Sequence, residues 1–328
     1  MVDAFALFTL SLMNLIKIIL SRRHQTKITS IFHSAVQDWV DTENQKDVRI
    51  MIHHAYVGRI VCIVQMIGAY LAVVPMILMH FPSSFETYDS NNDTIIVRSV
   101  PVGPKCWLPS DISFTTYLGY YSLICVQLFL LANMFLGVDV FAFGLAMHLC
   151  GQFQVLNRSL GEFDGGEPVF EQKIKVSKFA RRHYSLLQLA DDFEVAFNML
   201  IFFELGANTF NLCISEIILL KAIKMGDAQI ITAMIVRVYL LYIQIFMHSY
   251  IGENLSSQME KLHASLYNCP WYSMQSTIVK DMRFIMMRNN VPLHLTAGKI
   301  CNMDYNNFKG IVKSMFSCFS ILRLVLDE

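Results

Sequence analysis

Residues 113–136 read SFTTYLGYYSLICVQLFLLANMFL, a block without one charged side chain. As a helix rising ~1.5 Å per residue it covers roughly 36 Å, enough to cross the ~30 Å hydrocarbon layer of a bilayer. One such block also suits the core of a soluble protein. Here it recurs: Ala4–Leu20, Val57–Met79, Val195–Leu220 and Ala228–Tyr250 are apolar over comparable lengths, and the chain closes on a sixth block at 308–328. Six blocks near the ~20 residues of a spanning helix decide the class. The expected fold is all-α, a polytopic transmembrane helical bundle.

Composition agrees. The 328 residues are 54% apolar and 16% charged, with a mean hydropathy of +0.43, whereas ordinary domains carry about 25% charged residues. A net charge of zero points to neither an acidic nor a basic partner, so nucleic acid is not expected. The eight cysteines are scattered, without a CxxC pair or metal-ligand spacing, and read as small buried residues. No GxSxG, HExxH or phosphate-cradling glycine loop occurs, so neither an enzyme, a metal site nor a cofactor is expected. The first block has an acidic residue, no cationic lead and Lys17 inside its apolar run, unlike a signal peptide.

Lys and Arg alternate between the connections. Residues 21–56 hold five, 81–112 two, 151–194 six, 221–227 two and 251–303 five. The positive-inside rule puts the richer connections in the cytoplasm, so both chain ends, the C terminus included, are expected outside. The poor connection 81–112 contains the acceptor triplet at Asn92, a candidate glycosylation site in an exposed loop. Asn157 and Asn254 head triplets on the cytoplasmic side and are expected to stay bare.

Several spans continue as helix past the membrane. From Ser113 to Cys150 the pattern hardly breaks, about 57 Å of helix. FEQKIKVSKFARRHYSLLQLADDFEV (170–195) leads into the fourth span, and IGENLSSQMEKLHASLY (251–267) continues the fifth. These extensions are expected to pack as a cytoplasmic bundle. The chain divides into 1–150, with the outer-half ligand region; 151–250, with a cytoplasmic extension and two spans; and 251–328, with a cytoplasmic connection and the last helix.

The last helix carries a polar stripe. At ~100° per residue, Lys309, Gly310, Lys313, Ser317, Ser320, Leu324 and Asp327 gather on one side, opposite Ile311, Val312, Met315, Cys318, Phe319, Leu322, Val325 and Leu326. Ile321 flanks the polar face and Arg323 borders its other edge. Ionisable groups at membrane depth face protein or water. Snorkelling of the lysines to the headgroups is the alternative, though it leaves Ser317 and Ser320 unexplained. A water-lining helix needs copies from several subunits around an axis.

SYIGENLSSQMEKLHASLYNCPWY (249–272) and IMMRNNVPLHLTAGKICNMDYNNFKGIVKSMFSCFSIL (285–322) resemble the C-terminal third of insect odorant receptors. The resemblance rests on Gly252-Glu253, Ser256, Leu262, Tyr267, Trp271-Tyr272, Pro292 and Leu295-Thr296-Ala297-Gly298-Lys299. Phe308, Ile311, Lys313, Ser317 and Phe319 follow at the family's spacing. It implies an odorant-gated, non-selective cation channel in the plasma membrane of olfactory neuron dendrites. Such channels are hetero-tetramers with an odorant receptor coreceptor. It also implies an extracellular C terminus and a last helix that lines the pore, here through Lys313, Ser317, Ser320, Ile321 as the gate and Leu324 one turn outward. The family has seven spans with a cytoplasmic N terminus, whereas six are seen here, so the first span is expected to be absent. A truncated, non-functional receptor is therefore one alternative.

Family members bind small volatile molecules in the outer half of each bundle, where a mostly apolar wall with few polar groups suits the ligand. Candidates here are Tyr70, Met76, Tyr117, Tyr120 and Tyr121, with Phe5 and Phe8; an interfacial aromatic belt is the competing reading. Two other classes stay open. A G-protein-coupled receptor would use CWLP at 106–109, but that string falls in a loop. A secondary transporter would use Asp139, Glu204 and Arg237 as a relay, although such groups are more often buried partners.

Overall fold

The computed structural model describes residues 2–79, 84–88, 94–98, 100–102, 112–164, 166–289 and 293–327; side chains are outside the description for 2–7, 79, 84–88, 94–97, 318, 321, 322 and 324–327. The helices are α1 (Val2–Arg23), α2 (Gln25–Asp41), α3 (Gln45–Met79), α4 (Phe114–Ser159), α5 (Val169–Met225), α6 (Ala228–Asn268), α7 (Ser276–Asn289) and α8 (Tyr305–Asp327). Two antiparallel hairpins interrupt them, β1 (Ser84–Tyr88) with β2 (Thr94–Arg98) and β3 (Thr296–Ala297) with β4 (Cys301–Asn302).

Every expected span lies on a helix. Among the described residues, α3, α4 and α6 are long and apolar enough to cross a membrane by length and composition alone, with window hydropathies of 2.3, 2.1 and 2.0. α1 and α5 are less apolar because each buries polar groups, Asn14 and Lys17 on one and Glu204, Asn208 and Glu216 on the other. On α3, Ile60, Ile63, Val64, Ile67, Leu71, Val74 and Leu78 are all exposed. Only 6% of its apolar window is buried within the chain. Such a face is stable in lipid and not in water.

The long extensions form as expected. α4, α5 and α6 run unbroken for 46, 57 and 41 residues, roughly 60–85 Å each, about twice the hydrocarbon thickness or more. Their membrane-distal portions make the main core. Phe153, Leu156, Phe193, Phe197, Leu262 and Met282 are among its buried residues, so α7 closes the bundle. Asn157 and Asn254 lie within α4 and α6.

Two ion pairs and a histidine–carboxylate contact tie α2 to this bundle. Asp38 meets His148 Nε2 at 3.0 Å and Arg182 Nη2 at 2.7 Å, and Lys27 meets Asp192 at 2.6 Å. α2 buries Ile31 and Ala35 and exposes Phe32, Val36, Trp39 and Val40.

The connection 81–112 differs from the irregular loop expected of it. Thr94–Arg98, with four β-branched residues among its five, pairs with Ser84–Tyr88 in a hairpin, since β-branched side chains suit a pleated strand. Asn92 and the CWLP string lie outside the described residues.

Candidate functional site

Three polar or aromatic constellations stand out: an aromatic cluster between α3 and α4, a charged knot among four helices, and one face of α8.

The cluster between α3 and α4 holds four of the five candidate ligand residues, Met76, Tyr117, Tyr120 and Tyr121, while Tyr70 pairs with Asn133 and Phe129. Tyr117 and Tyr121 are buried one helical turn apart on α4, with ring centroids 6.4 Å apart. Tyr120, Met76, Val73 and Ile77 pack around Val102, Ile124 and Leu128. The Tyr121 hydroxyl donates to the Ile77 carbonyl at 2.8 Å. That carbonyl lies in the last turn of α3, where the helix supplies no donor. The Tyr70 hydroxyl donates to Asn133 Oδ1 at 3.0 Å, and its ring centroid lies 6.1 Å from that of Phe129.

Sequence reading missed Arg98. Its guanidinium carbon lies 5.2 Å from the Tyr117 ring centroid, and its Nη1 donates to the Ser113 carbonyl at 3.1 Å. The hairpin thus lays a cation over the aromatic cluster, a contact favoured by the ring's quadrupole. Ser113 in turn caps α4 by accepting from the Thr116 amide.

Nearer the inner bundle, Lys17 on α1 donates to both oxygens of Asp139 on α4 at 2.7 and 2.8 Å, to Glu204 on α5 at 2.9 Å and to the Phe135 carbonyl at 2.7 Å. Gln244 on α6 donates to Asp139 Oδ2 at 2.8 Å and also to Glu204 Oε1; His248 Nε2 lies 3.1 Å from Glu204 Oε2. All five side chains are buried. This is the buried-partner arrangement of Asp139 and Glu204. Arg237 is half-buried on α6, seven residues before Gln244. The pairing was hidden in sequence because Lys17 stands 122 positions from Asp139 and 187 from Glu204; the local traces were Lys17 inside an apolar block and the two acids in or near spans.

α8 turns as the helical wheel requires. Met315 is buried with Leu212 of α5 and Ile245 of α6, and Phe308 and Ile311 pack against them. Lys309, Lys313, Ser317 and Ser320 are exposed on the other side. The Ser317 and Ser320 hydroxyls donate to the Lys313 and Phe316 carbonyls, at 3.0 and 2.9 Å. Such back-bonding satisfies a hydroxyl without another helix. Phe316 is also exposed, at 61%, so the face is not uniformly polar. Ile321 and Leu324 fall on α8, but their side chains lie outside the described residues.

The start of α8 is fixed by the stretch Leu295–Lys299. Gly298 and Lys299 both adopt φ of 60°, as a tight hairpin turn requires. Gly298 donates to the Asn198 carbonyl at 2.9 Å, and Thr296 Oγ1 donates to Glu194 at 2.6 Å. On the other side, Ser256 Oγ donates to the Leu293 carbonyl at 2.8 Å, and Glu253 accepts from the Tyr305 amide at 3.2 Å. The connection is therefore riveted to α5 and α6 before the chain turns into α8.

The 7tm Odorant receptor family model matches residues 1–316. Odorant receptor 10 of Aedes albopictus is 25% identical over 54% of this chain and 47% of its own length, so the chain spans about half of that relative. Odorant receptor 13a of Drosophila melanogaster is 21% identical over 96% of this chain and 78% of its own. In structure, the chain is similar to the insect olfactory receptor OR5 from Machilis hrabei, solved in complex with eugenol. The TM-score is 0.70 at 10% identity, over 98% of this chain and 81% of that one.

Proposed function

This chain belongs to the insect 7tm odorant receptor family, and on that footing we propose that it is one subunit of an odorant-gated, non-selective cation channel, assembled with an odorant receptor coreceptor in a hetero-tetramer. The observation that carries the reading is the division of α8 into a packed side at Met315 and a bare side at Lys313, Ser317 and Ser320. Lysines and serines left bare along one side of a helix suit water or protein against that side, and neighbouring subunits around an axis would supply both.

In this reading residues 1–150 hold the ligand region, 151–250 the extended cytoplasmic helix and two spans, and 251–328 the coupling connection and pore helix. The C terminus is extracellular, in agreement with the charge asymmetry of the connections. The assembly sits in the plasma membrane of olfactory neuron dendrites. A small volatile molecule binds beside Tyr70, Met76, Tyr117, Tyr120 and Tyr121. It opens the pore by preferring the open arrangement, through its difference in affinity for the two states. Motion of α5 and α6 passes to α8 through Leu212, Ile245 and Met315 and widens the ring at Ile321, with Leu324 one turn outward. Asn92 is the glycosylated residue. The family is one of receptors, so no reaction chemistry is assigned.

The test is current recording from cells expressing this chain with a coreceptor, against an odorant panel. Ligand-evoked cation current is expected, with Ile321→Ala raising the resting current and Ile321→Trp reducing the evoked one. Unaltered conduction in both variants would remove the gate from Ile321. Ligand uptake in stoichiometric amounts without current would replace the channel with a transporter.

A further inference from the structure

A cavity of about 260 Å³ opens between α2, α3 and α4, lined in part by Trp39, His54, Gly58, Arg59, Gly144 and His148. It is distinct from the aromatic cluster, the charged knot and α8. Two glycines create the space: a Cβ on Gly58 would meet the Gly144 backbone at 3.9 Å, and one on Gly144 would meet nothing within 4 Å.

Its depth is set by the spans. Gly58 and Arg59 lie where the apolar run of α3 begins, and Gly144 lies eight residues past the apolar run of α4. Trp39 belongs to the exposed apolar stripe Phe32, Val36, Trp39 and Val40 of α2, with the i, i+4, i+7, i+8 spacing of a helix lying against a membrane surface. Tryptophan concentrates at that interface.

The polar groups are unevenly satisfied. Arg59 is exposed and makes no hydrogen bond or ion pair with any described residue. Asp38 beside the cavity is already held by His148 and Arg182. His54 is only 6% exposed, and its Nε2 lies 2.7 Å from Gln154 Oε1, an acceptor. The ring proton therefore sits on Nε2, which makes Nδ1 an acceptor. That Nδ1 is buried and has no partner. A free cation at a membrane-facing mouth and an unmet acceptor on a lining side chain suit a ligand with a phosphate and a hydroxyl.

We propose that this cavity binds the headgroup of an anionic, hydroxyl-bearing phospholipid, its phosphate against Arg59 and a headgroup hydroxyl donating to His54 Nδ1. The volume falls just below the roughly 300–1,000 Å³ of drug-sized pockets. It holds a headgroup but not the acyl chains, which lie along the apolar stripe of α2. Assignment to the inner leaflet rests on the orientation proposed above; the binding itself does not.

The full chain, purified in phosphatidylcholine nanodiscs doped with phosphatidylinositol, tests this by the lipid retained in native mass spectrometry. Phosphatidylinositol is expected to be enriched at least tenfold over phosphatidylcholine. Phosphatidic acid, which has the charge but no headgroup hydroxyl, should be enriched several-fold less. Arg59→Gln should lower the enrichment about tenfold. Gly144→Leu should fill the cavity and abolish enrichment at an unchanged melting temperature. Absence of enrichment in the wild type, or equal enrichment in both variants, overturns the site. Displacement of the lipid by equimolar soluble inositol phosphate overturns the lipid assignment in favour of a free phosphate ligand. None of these readings needs an odorant-evoked current, so they stand apart from the channel experiment.

Discussion

Lys17 Nζ lies 2.7 Å from Asp139 Oδ2, an ion pair between α1 and α4 in which both side chains are at most 1% exposed. Glu204 of α5 takes a further bond from the same ammonium, and Gln244 and His248 of α6 complete the knot. Replacing a buried pair by apolar residues is often harmless, whereas removing one partner strands the other charge. Lys17→Met, which leaves two carboxylates facing each other, should therefore destabilise the bundle by about 3–5 kcal/mol. The joint change Lys17→Met with Asp139→Asn should recover part of that loss. Thermal melting in detergent micelles measures both; a Lys17→Met protein as stable as wild type would refute the role of the knot.

A second prediction concerns the approach of α6 to the connection before α8. Any Cβ on Gly252 would overlap the Met303 carbonyl, and Met303 is itself held by its amide N–H donating to the Leu295 carbonyl at 2.8 Å. Backbone on both sides leaves no side chain to give way. Gly252→Ala should cost more than about 3 kcal/mol, in the range of severe packing defects. Gly206→Ala, whose Cβ meets nothing within 4 Å, should be neutral or gain up to about 1 kcal/mol from helix propensity. Surface expression of the two variants, side by side, gives the comparison.

These two sites show what was and was not legible in the sequence. Long apolar runs gave the spans and their extensions, because a helix that must satisfy its backbone internally leaves an unbroken hydrophobic signal. The wheel of α8 was readable for the same reason: Met315 and Lys313 differ in environment because they differ in angle. Gly252 and Gly298 stood out only as members of a resemblance; their physical cause, a carbonyl and the ring of Phe202 occupying the Cβ positions, is tertiary. The hairpin at 84–98 was hidden inside a polar connection. The partnership of Lys17 with Asp139 and Glu204 crosses 122 and 187 positions, and no local pattern encodes such a distance.

A third prediction follows from His183. It is 3% exposed, stacks on Phe179 at 6.0 Å and lies 3.0 Å from Asn289 Oδ1, joining α5 to α7. Burial holds its pKa below the ordinary 6.5, Arg288 adds to the depression, and the Asn289 bond only partly opposes it. The unfolded chain thus takes up the proton first as pH falls. Stability is complete above about pH 6.5 and declines below it by up to about 1.4 kcal/mol per pH unit, until the folded-state pKa is reached. His183→Gln keeps a donor for Asn289 and removes the titration. The difference in melting temperature between wild type and His183→Gln should therefore change between pH 7 and pH 5, and a constant difference would acquit His183.

The last prediction separates a wet face of α8 from a lipid-facing one. Lys309 and Lys313 alone do not decide, because long cationic side chains reach the headgroups from either environment. Serine has no such reach. Ser317 and Ser320 bond back to their own helix, which satisfies the hydroxyl equally in lipid or at a pore wall, so neither does their geometry decide. Reactivity does, because a thiolate forms in water and reacts from water. In the assembled channel opened by ligand, Ser317→Cys and Ser320→Cys should react with a charged, membrane-impermeant thiol reagent at least tenfold faster than Met315→Cys, whose parent side chain is packed between Leu212 and Ile245. Reaction should also reduce the current, since the adduct occupies the conduction path. Equal and slow modification at all three positions would place the serine face in lipid and end its assignment to a pore.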